Sequence, residues 1–306
     1  MRRVVGSEDR DDPEQKGIQE ATAVGITGAN SQLGNELQVI APQFPYYQFL
    51  FVTKEELNIT DFNSIIKYFK GHSIDYCINC AAYTAVDKAE TENDLAYLIN
   101  ADAVAILAKI CSKNNTQLIH ISTDYVFDGT ANKPYKETDK TCPVSVYGQS
   151  KLQGEDLAIQ HSPSTIIIRT AWLYSSFNNN FVKTMLRLMQ EKDSINVVND
   201  QLGSPTYAAD LALAIMQMIK TKKSKENPGI YHYTNGGTTN WYQFAVTIKN
   251  LTGSNCIVNP ITTAQYPTAA KRPAYSVLDT AKIAATFSVA IPDWKDSLEK
   301  CLALLK

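Results

Sequence analysis

The sequence predicts an α/β protein with a Rossmann-type, doubly wound parallel sheet and a smaller C-terminal lobe. Three observations predict this fold: short apolar segments alternate with helical patterns from about residue 21, a glycine-rich turn follows the first apolar segment, and the alternation becomes irregular in the second half of the 306 residues. Strands that alternate with helices form a parallel sheet covered on both faces.

The first half of the chain supplies the predicted sheet. Strands are predicted for ATAVGIT, YQFLFV, DYCIN, TQLIHIS and STIIIRT, and helices for QLGNELQVIA, DFNSIIKYFK and VYGQSKLQGEDLAIQ. A longer helix is predicted from about Thr91 to Lys113, with one apolar face formed by Leu95, Leu98, Ile99, Ala103, Ile106, Leu107 and Ile110. In the second half, FVKTMLRLMQ, ALAIMQMI and WYQFAVTIKNL predict helices between loops and short strands.

The pattern divides the chain into three parts. Residues 1–20 are polar and predict a flexible extension. Residues 21–171 and about 205–235 form the predicted dinucleotide-binding domain. Residues about 172–204 and 236–306 form the predicted substrate-binding lobe, which closes over the cofactor.

The composition limits the kinds of partner that the protein is expected to bind. The formal net charge is −2 with 44% apolar and 20% charged residues, which is ordinary for a soluble protein and unlike a nucleic-acid binder. No apolar run reaches the roughly 20 residues that span a membrane, and no secretory signal follows the basic start. The six cysteines are interpreted as structural thiols. We expect a cytoplasmic protein with a neutral or anionic small molecule as its partner.

The first chemical motif is the segment GITGANSQLG, from Gly25 to Gly34. It lies between the first strand and the first helix, where a dinucleotide fingerprint is found. Glycines allow the backbone to approach the pyrophosphate, and the helix N-terminus offers free N–H groups. Ser31 stands where a third glycine is common. An ordinary strand-to-helix turn is the alternative, and the placement favours the cofactor.

The end of the second strand bears on the choice of cofactor. It reads Val52-Thr53-Lys54, without the acid that would bond the ribose 2′-hydroxyl of NAD. Lys54 could meet a 2′-phosphate, or it could be a solvated surface lysine. The sequence favours NADPH and leaves NADH possible.

Tyr147 and Lys151 lie one helical turn apart on the same face of a predicted helix. A tyrosine can donate a proton to a ketone oxygen, and a nearby ammonium would lower its pKa. Thr123 follows the fourth apolar strand, at the edge where open α/β sheets bind ligands. Its hydroxyl could polarise a carbonyl beside the tyrosine, or it could cap the strand end.

Together, these motifs resemble the dTDP-4-dehydrorhamnose reductases, a family of extended short-chain dehydrogenases. The resemblance runs from about Ala21 to the C-terminus and is carried by GANSQLGNEL, NCAAYTAVDKAE, HISTDYVFDGT, YGQSKLQGE, RTAWLY, NNNFVKTMLRL, NDQLGSPT, GGTTNW and the RP of KRPAYS. It implies reduction of the 4-keto group of dTDP-6-deoxy-L-lyxo-4-hexulose to dTDP-L-rhamnose.

The resemblance also assigns residues. The catalytic set is Thr123, Tyr147 and Lys151. The cofactor would contact Gly28, Asn30, Ser31, Gln32, Leu33, Gly34, Ala81, Ala82, Tyr83, Asn100, Tyr147 and Lys151. The substrate, a dTDP-linked keto-deoxysugar, would contact Thr84, Val86, Tyr125, Trp172 and Arg272. From chemistry alone, Trp172 offers an aromatic wall or a core side chain, and Arg272 a pyrophosphate partner or a surface charge.

Some members of this family form a magnesium-linked dimer through acidic residues. The matching positions here are Glu36, Asp210 and Lys295, and a cation at the third would repel a metal. We therefore expect no metal and a monomer or a metal-independent homodimer.

Two other functions remain open. One is a non-catalytic, NADP-binding regulatory subunit, as in the relative that regulates methionine adenosyltransferase; the presence of Thr123, Tyr147 and Lys151 disfavours it. The other is a reductase or epimerase that acts on another nucleotide sugar.

Overall fold

A parallel sheet forms the centre of the computed structural model, which describes residues 21–221 and 223–305. The predicted extension at residues 1–20 lies outside the described residues. The strands are β1 Thr22–Thr27, β2 Tyr47–Val52, β3 Tyr76–Asn79, β4 Gln117–Thr123, β5 Ile166–Thr170, β6 Leu173–Tyr174, β7 Ser194–Val198, β8 Leu202–Gly203, β9 Thr206–Tyr207, β10 Gly229–His232, β11 Thr239–Asn240 and β12 Ile257–Ile261.

The central sheet has the strand order β10-β5-β4-β3-β1-β2, and all its neighbours are parallel. The order reverses between β1 and β3, which is where such sheets open a crevice for a ligand. Three two-stranded ladders, β6 with β9, β7 with β12 and β8 with β11, belong to the second half of the chain. The predicted doubly wound α/β fold is confirmed.

Helices connect and cover these strands. They are α1 Gln32–Ile40, α2 Phe62–Gly71, α3 Val86–Ala89, α4 Asn93–Tyr97, α5 Ala103–Lys113, α6 Val146–His161, α7 Phe181–Glu191, α8 Ala208–Lys220, α9 Lys223–Glu226, α10 Trp241–Thr252, α11 Ala281–Phe287 and α12 Trp294–Ala303. One apolar core joins the sheet to α1, α8 and α11, and another joins it to α2, α5 and α6. Helices therefore cover both faces, as the sequence predicted.

A third core lies apart from the sheet. It joins α7, α10 and α12 to the β7 strand, around Phe244 and Trp294. This cluster matches the predicted substrate-binding lobe, and the division into domains stays a prediction. Helix α11 falls within the predicted lobe by sequence, yet its Ile283 and Phe287 pack in the core of the sheet.

The predicted long helix is interrupted. A π-helical turn at Leu98–Asp102 separates α4 from α5. Gly154 of α6 passes so close to the Asn100 carbonyl that an added Cβ would collide with it. Leu95 and Leu98 are 42% and 41% exposed, so the prediction that they join the core face was wrong for these two residues.

The same segment is an exception to the expectation that no apolar run is long enough to span a membrane. Residues Asn93–Lys113 are long and apolar enough to cross a membrane by length and composition, and 56% of the most apolar window is buried inside the protein. The run packs against α6 and α2. It is accounted for as a core helix.

Candidate active site

The carboxyl ends of β1, β3, β4 and β5 open into a cleft of about 530 Å³ between the sheet and the lobe. The predicted site residues on its wall are Ser31, Gln32, Leu33, Ala82, Thr84, Val86, Thr123, Tyr125, Tyr147, Lys151 and Trp172. A second hollow of about 500 Å³ is lined by Gly28, Ala81 and Tyr83, and shares Ser31, Ala82 and Thr84 with the first. The two form one continuous groove.

The glycine turn has the shape of a phosphate cradle. Gly28 has a φ of +67°, and a Cβ there would lie 2.7 Å from the Ala81 nitrogen. A Cβ on Gly34 would lie 2.5 Å from the Ala29 carbonyl oxygen. Ser31, the departure from the glycine pattern, caps α1 by accepting a hydrogen bond from the Gly34 nitrogen at 3.0 Å. These residues fit a dinucleotide pyrophosphate at the start of α1.

Asn100 supports the wall of the groove through the backbone of Tyr83. Its side chain is fully buried, accepts from the Tyr83 nitrogen at 2.9 Å and donates to the Tyr83 carbonyl at 3.0 Å and to the Ser150 hydroxyl at 3.0 Å. It fixes the Tyr83 backbone to α6. Asn30 is tied to the lobe, because Asn178 donates to its carbonyl at 2.7 Å.

The second hollow includes the position predicted for a 2′-phosphate. Lys54 is exposed and lies on its wall. The nearby acid Glu56 accepts a hydrogen bond from the Thr53 nitrogen at 2.8 Å, so this carboxylate is occupied in the turn. The arrangement leaves a cation, and not a free acid, facing the hollow.

Helix α6 presents the predicted proton donor. The helix begins after Ser145, whose hydroxyl accepts from the Gly148 nitrogen at 3.2 Å. The Tyr147 ring meets the Tyr125 ring edge to face, with centroids 5.5 Å apart. Burial raises the pKa of Tyr147 to about 12, and contact with the Thr123 side chain opposes the rise. Tyr147 is therefore neutral near pH 7, as a proton donor must be.

Lys151 is buried in a different set of contacts from the one expected. Its side chain is 2% exposed, and its Nζ lies 2.7 Å from the Ile121 carbonyl oxygen and 3.2 Å from His120 Nε2. Burial lowers the pKa of Lys151 to about 8, against the opposing effect of Glu155. The expected lowering of the Tyr147 pKa by an ammonium is not what this arrangement gives, because burial of the phenol dominates.

Thr123 is held by an acid that the sequence analysis did not single out. Its hydroxyl donates to Asp124 Oδ1 at 3.0 Å and accepts from the Tyr125 nitrogen at 3.2 Å. Asp124 is 2% exposed, and burial raises its pKa to about 6. The residue is adjacent to Thr123 in the motif STDY, which was the available signal.

The far wall of the cleft is aromatic. Trp172 and Trp241 stack with ring centroids 3.6 Å apart. Trp172 has a φ of +48°, and a Cβ on Gly203 would lie 2.6 Å from its ring. The Trp241 indole N–H donates to Gln201 Oε1 at 3.2 Å. Trp241 begins α10, and the sequence analysis quoted it only as part of the motif GGTTNW.

Arg272 lies near the cleft but is already paired. Its two terminal nitrogens meet the Asp87 carboxylate at 2.7 and 3.1 Å, and this lowers the pKa of Asp87. A guanidinium has five N–H donors, so donors remain for a second anion.

The two acids that match the family's metal positions are buried in the protein. Glu36 is 2% and Asp210 is 8% exposed. Asp210 accepts hydrogen bonds from Ser297 at 2.5 Å and from Asn235 at 2.7 Å. Within residues 21–221 and 223–305, no group of three or more histidine, cysteine or acidic residues is placed to hold a metal ion.

Known proteins with similar sequences and folds identify the family of this chain. The sequence profile of the RmlD substrate binding domain matches residues 22–306. A dTDP-4-dehydrorhamnose reductase of Aggregatibacter actinomycetemcomitans is 42% identical over 286 residues, which cover 91% of this chain and 97% of the relative. The crystal structure of such a reductase from Clostridium acetobutylicum has a TM-score of 0.89 at 42% identity and covers 93% of this chain and 99% of its own.

A further structure concerns the cofactor. The dTDP-4-dehydrorhamnose reductase of Bacillus anthracis, solved in complex with NADP, has a TM-score of 0.88 at 38% identity, over 92% of this chain and 99% of its own. The family match over residues 22–306 includes the glycine turn and the segments around Thr123 and Tyr147. The chain belongs to the RmlD substrate binding domain family, the family of the dTDP-4-dehydrorhamnose reductases.

Proposed function

We propose that this protein reduces the 4-keto group of dTDP-6-deoxy-L-lyxo-4-hexulose with NADPH and so forms dTDP-L-rhamnose. One observation carries the proposal: Thr123, Tyr147 and Lys151 line the same cleft as the N-terminal turn of α1. Family membership supports the substrate, and the NADP complex of a relative supports the cofactor.

The lining of the groove offers a partner to each part of the cofactor. We assign the pyrophosphate to the turn from Gly28 to Gly34 and the ribose 2′-phosphate to Lys54. We assign the nicotinamide half to Tyr147 and Lys151. The bound reduced nicotinamide would supply a hydride, one proton with two electrons, to the ketone carbon. Ala81, Ala82 and Tyr83 form the wall, and Asn100 holds that wall in place.

Proton delivery belongs to Tyr147. Its phenol stays protonated at neutral pH, so it can give a proton to the ketone oxygen as negative charge develops there. General acid catalysis of this kind contributes about 10²–10⁴-fold in rate. Thr123 would donate a hydrogen bond to the same oxygen. Its hydrogen now points to Asp124, so protonation of Asp124 or a rotation of the hydroxyl would free it.

The lobe would hold the sugar nucleotide. Trp172, backed by Trp241, offers a flat apolar wall to a sugar ring or a base. Tyr125, Thr84 and Val86 line the opposite side of the cleft. Arg272 would bind the substrate pyrophosphate while it keeps its contact with Asp87.

The cellular location and the oligomeric state are proposed from the cysteines and from two buried acids. We propose a cytoplasmic protein, which the six unpaired cysteines support. We propose a monomer or a metal-independent homodimer, since the buried positions of Glu36 and Asp210 do not suit a metal shared between subunits. A regulatory subunit without activity is disfavoured, because a binding module has no need of a buried phenol and amine at one cleft.

The test is direct turnover with product identification. The protein is mixed with NADPH and the dTDP-keto-sugar, oxidation of NADPH is followed by absorbance, and the product is identified by mass spectrometry and sugar analysis. We expect dTDP-L-rhamnose and much slower oxidation with UDP- or GDP-linked keto-sugars. Tight NADPH binding without oxidation on any of the three substrates would favour the regulatory subunit. Faster turnover of a UDP- or GDP-linked keto-sugar would favour a reductase or epimerase that acts on another nucleotide sugar.

A further inference from the structure

A chain of buried polar side chains runs beneath Lys151, across three neighbouring strands. Thr27 of β1, Asn79 of β3 and His120 of β4 are each 2% exposed or less. Thr27 Oγ1 donates to Asn79 Oδ1 at 2.6 Å, Asn79 Nδ2 lies 3.0 Å from His120 Nδ1, and His120 Nε2 lies 3.2 Å from Lys151 Nζ. Buried polar groups need partners, so the direction of each hydrogen bond has consequences.

The direction is set at Ala81. Its backbone N–H can only donate, and it lies 3.2 Å from Asn79 Oδ1, which fixes the orientation of the amide. The other end of the amide, Nδ2, is a donor and faces His120 Nδ1. His120 Nδ1 must therefore accept, and a neutral imidazole then carries its proton on Nε2.

This tautomer places an N–H donor opposite the lysine nitrogen. An ammonium has donors only, whereas a neutral amine has a lone pair that can accept. As an amine, Lys151 accepts from His120 Nε2, donates to the Ile121 carbonyl at 2.7 Å, and keeps one N–H for the cleft. As an ammonium, it would face a buried donor, or it would force His120 to give up its hydrogen bond with Asn79.

We propose that His120 is a positioning residue that favours the neutral amine of Lys151 over the ammonium in the free protein. The consequence for turnover rests on the proposed function. After Tyr147 has given its proton to the ketone oxygen, Lys151 takes a proton from solvent, and the new ammonium stabilises the phenolate. The phenolate thus favours the ammonium of Lys151, which the tautomer disfavours in the free protein.

The other charged groups near Lys151 do not reverse this preference. Glu155, one turn further along α6, acts to raise the pKa of Lys151, but it is paired with Arg169 of β5 at 2.6 Å. Burial raises the pKa of both Asp124 and Tyr147, which line the same cleft, so burial acts against the anion of each. Burial is the larger effect on Lys151 itself, and it acts in the same direction as the tautomer.

The first test reads the tautomer directly. The chain has four histidines, so ¹⁵N-histidine spectra of the full-length protein are simple to assign, with His120→Gln identifying the signal of interest. We expect a protonated Nε2 and a bare Nδ1 from pH 6 to pH 8. A protonated Nδ1 or an imidazolium in this range would overturn the proposal. This measurement needs no substrate, so its failure is distinct from a failure of the proposed function.

The second test follows Lys151 by ¹³Cε labelling of lysine, with Lys151→Met identifying its signal. In wild-type protein we expect titration well below that of the other lysines. Asn79→Asp accepts from Nδ1 and moves the histidine proton, so the midpoint should rise by about one pH unit or more. Asn79→Ala adds no charge and should also raise it, by less. Thr27→Val keeps the Ala81 contact and should leave it unchanged.

These outcomes separate an effect of the His120 tautomer from an effect of an added charge. A rise in Asn79→Asp alone, with none in Asn79→Ala, would mean that the added carboxylate acts by charge and would overturn the role of the tautomer. An ordinary lysine midpoint in wild-type protein would overturn the proposal as well. If the Asn79 variants fail to fold, the wild-type tautomer and the wild-type midpoint still decide it.

Discussion

The two sides of the cleft are built in different ways. The floor, formed by Asn79, His120, Thr123 and Lys151, is 5% exposed or less, and hydrogen bonds between strands and α6 hold it. The roof, formed by Trp172, Trp241 and Arg272, is half-buried, and a ring stack and an ion pair hold it. Thr123 and Lys151 thus lie among buried, hydrogen-bonded side chains, whereas the residues proposed for recognition are half-buried.

The largest effect should follow from removing the floor's amine. Lys151→Met keeps most of the length of the side chain but loses the nitrogen that contacts Ile121 and faces the cleft. We expect kcat to fall by about 10²–10⁴-fold and the Kd for NADPH to rise, because the residue serves both steps. Stopped-flow kinetics and fluorescence titration measure the two separately. If only NADPH binding were lost, Lys151 would act as a binding contact, like the roof residues. The contrast between floor and roof would then fail.

The next effect concerns pH and stability. Burial raises the pKa of Asp124 to about 6 from an ordinary value of 3.8, so the folded protein holds this proton more tightly than the unfolded chain does. The contribution of Asp124 to stability is therefore fully present below about pH 4 and is lost as the pH rises to about 6. The loss is at most about 3 kcal/mol.

Asp124→Asn removes this titration. The free energy of unfolding of wild type minus that of Asp124→Asn should decrease between pH 4 and pH 6 and stay level above pH 7, as measured by urea denaturation. A difference that is constant with pH would show that Asp124 is solvated, and would remove it from the buried side of the cleft.

A smaller effect is expected at the glycine turn. Gly28→Ala places a Cβ 2.7 Å from the Ala81 nitrogen at a φ of +67°. We expect a loss of about 2 kcal/mol in stability and weaker NADPH binding. Gly71→Ala is the matched control, since nothing lies within 4 Å of its Cβ, and it should be neutral. Equal effects in both variants would contradict the cradle.

The smallest effect should come from the roof. Trp241→Phe keeps an aromatic ring but shortens the stack on Trp172 and loses the hydrogen bond to Gln201. An aromatic contact is worth about 0.5–1.5 kcal/mol, so KM for the sugar nucleotide should rise by roughly 2–10-fold with kcat nearly unchanged. Steady-state kinetics measure this. A large fall in kcat would mean that the roof also sets the geometry of the reacting atoms.

Local patterns in the sequence predicted the sheet, most helix positions and the presence of Tyr147 and Lys151 at one cleft, because each depends on spacing within a few residues. Contacts between distant segments escaped prediction. His120 meets Asn79 only through the register of β3 on β4, which pairs these two residues. Trp172 meets Trp241 only because the lobe folds over.

The long helix illustrates the same limit. Its apolar repeat indicated one continuous core face, and the repeat holds for α5. The π-helical turn that accommodates Gly154 of α6 shifts the preceding turns, so that Leu95 and Leu98 face the groove. The close contact with Asn100 comes from a residue more than 50 positions away, which a window along the sequence does not include.

The central claim is that Tyr147 delivers the proton in the cleft, and single-turnover kinetics of Tyr147→Phe test it most directly. The experiment compares NADPH oxidation on the dTDP-keto-sugar in wild type, Tyr147→Phe and Tyr46→Phe, a control at a residue that is 84% exposed. We predict a rate lower by about 10²–10⁴-fold in Tyr147→Phe, with NADPH affinity retained and Tyr46→Phe unchanged. A Tyr147→Phe rate within a few-fold of wild type would contradict the account.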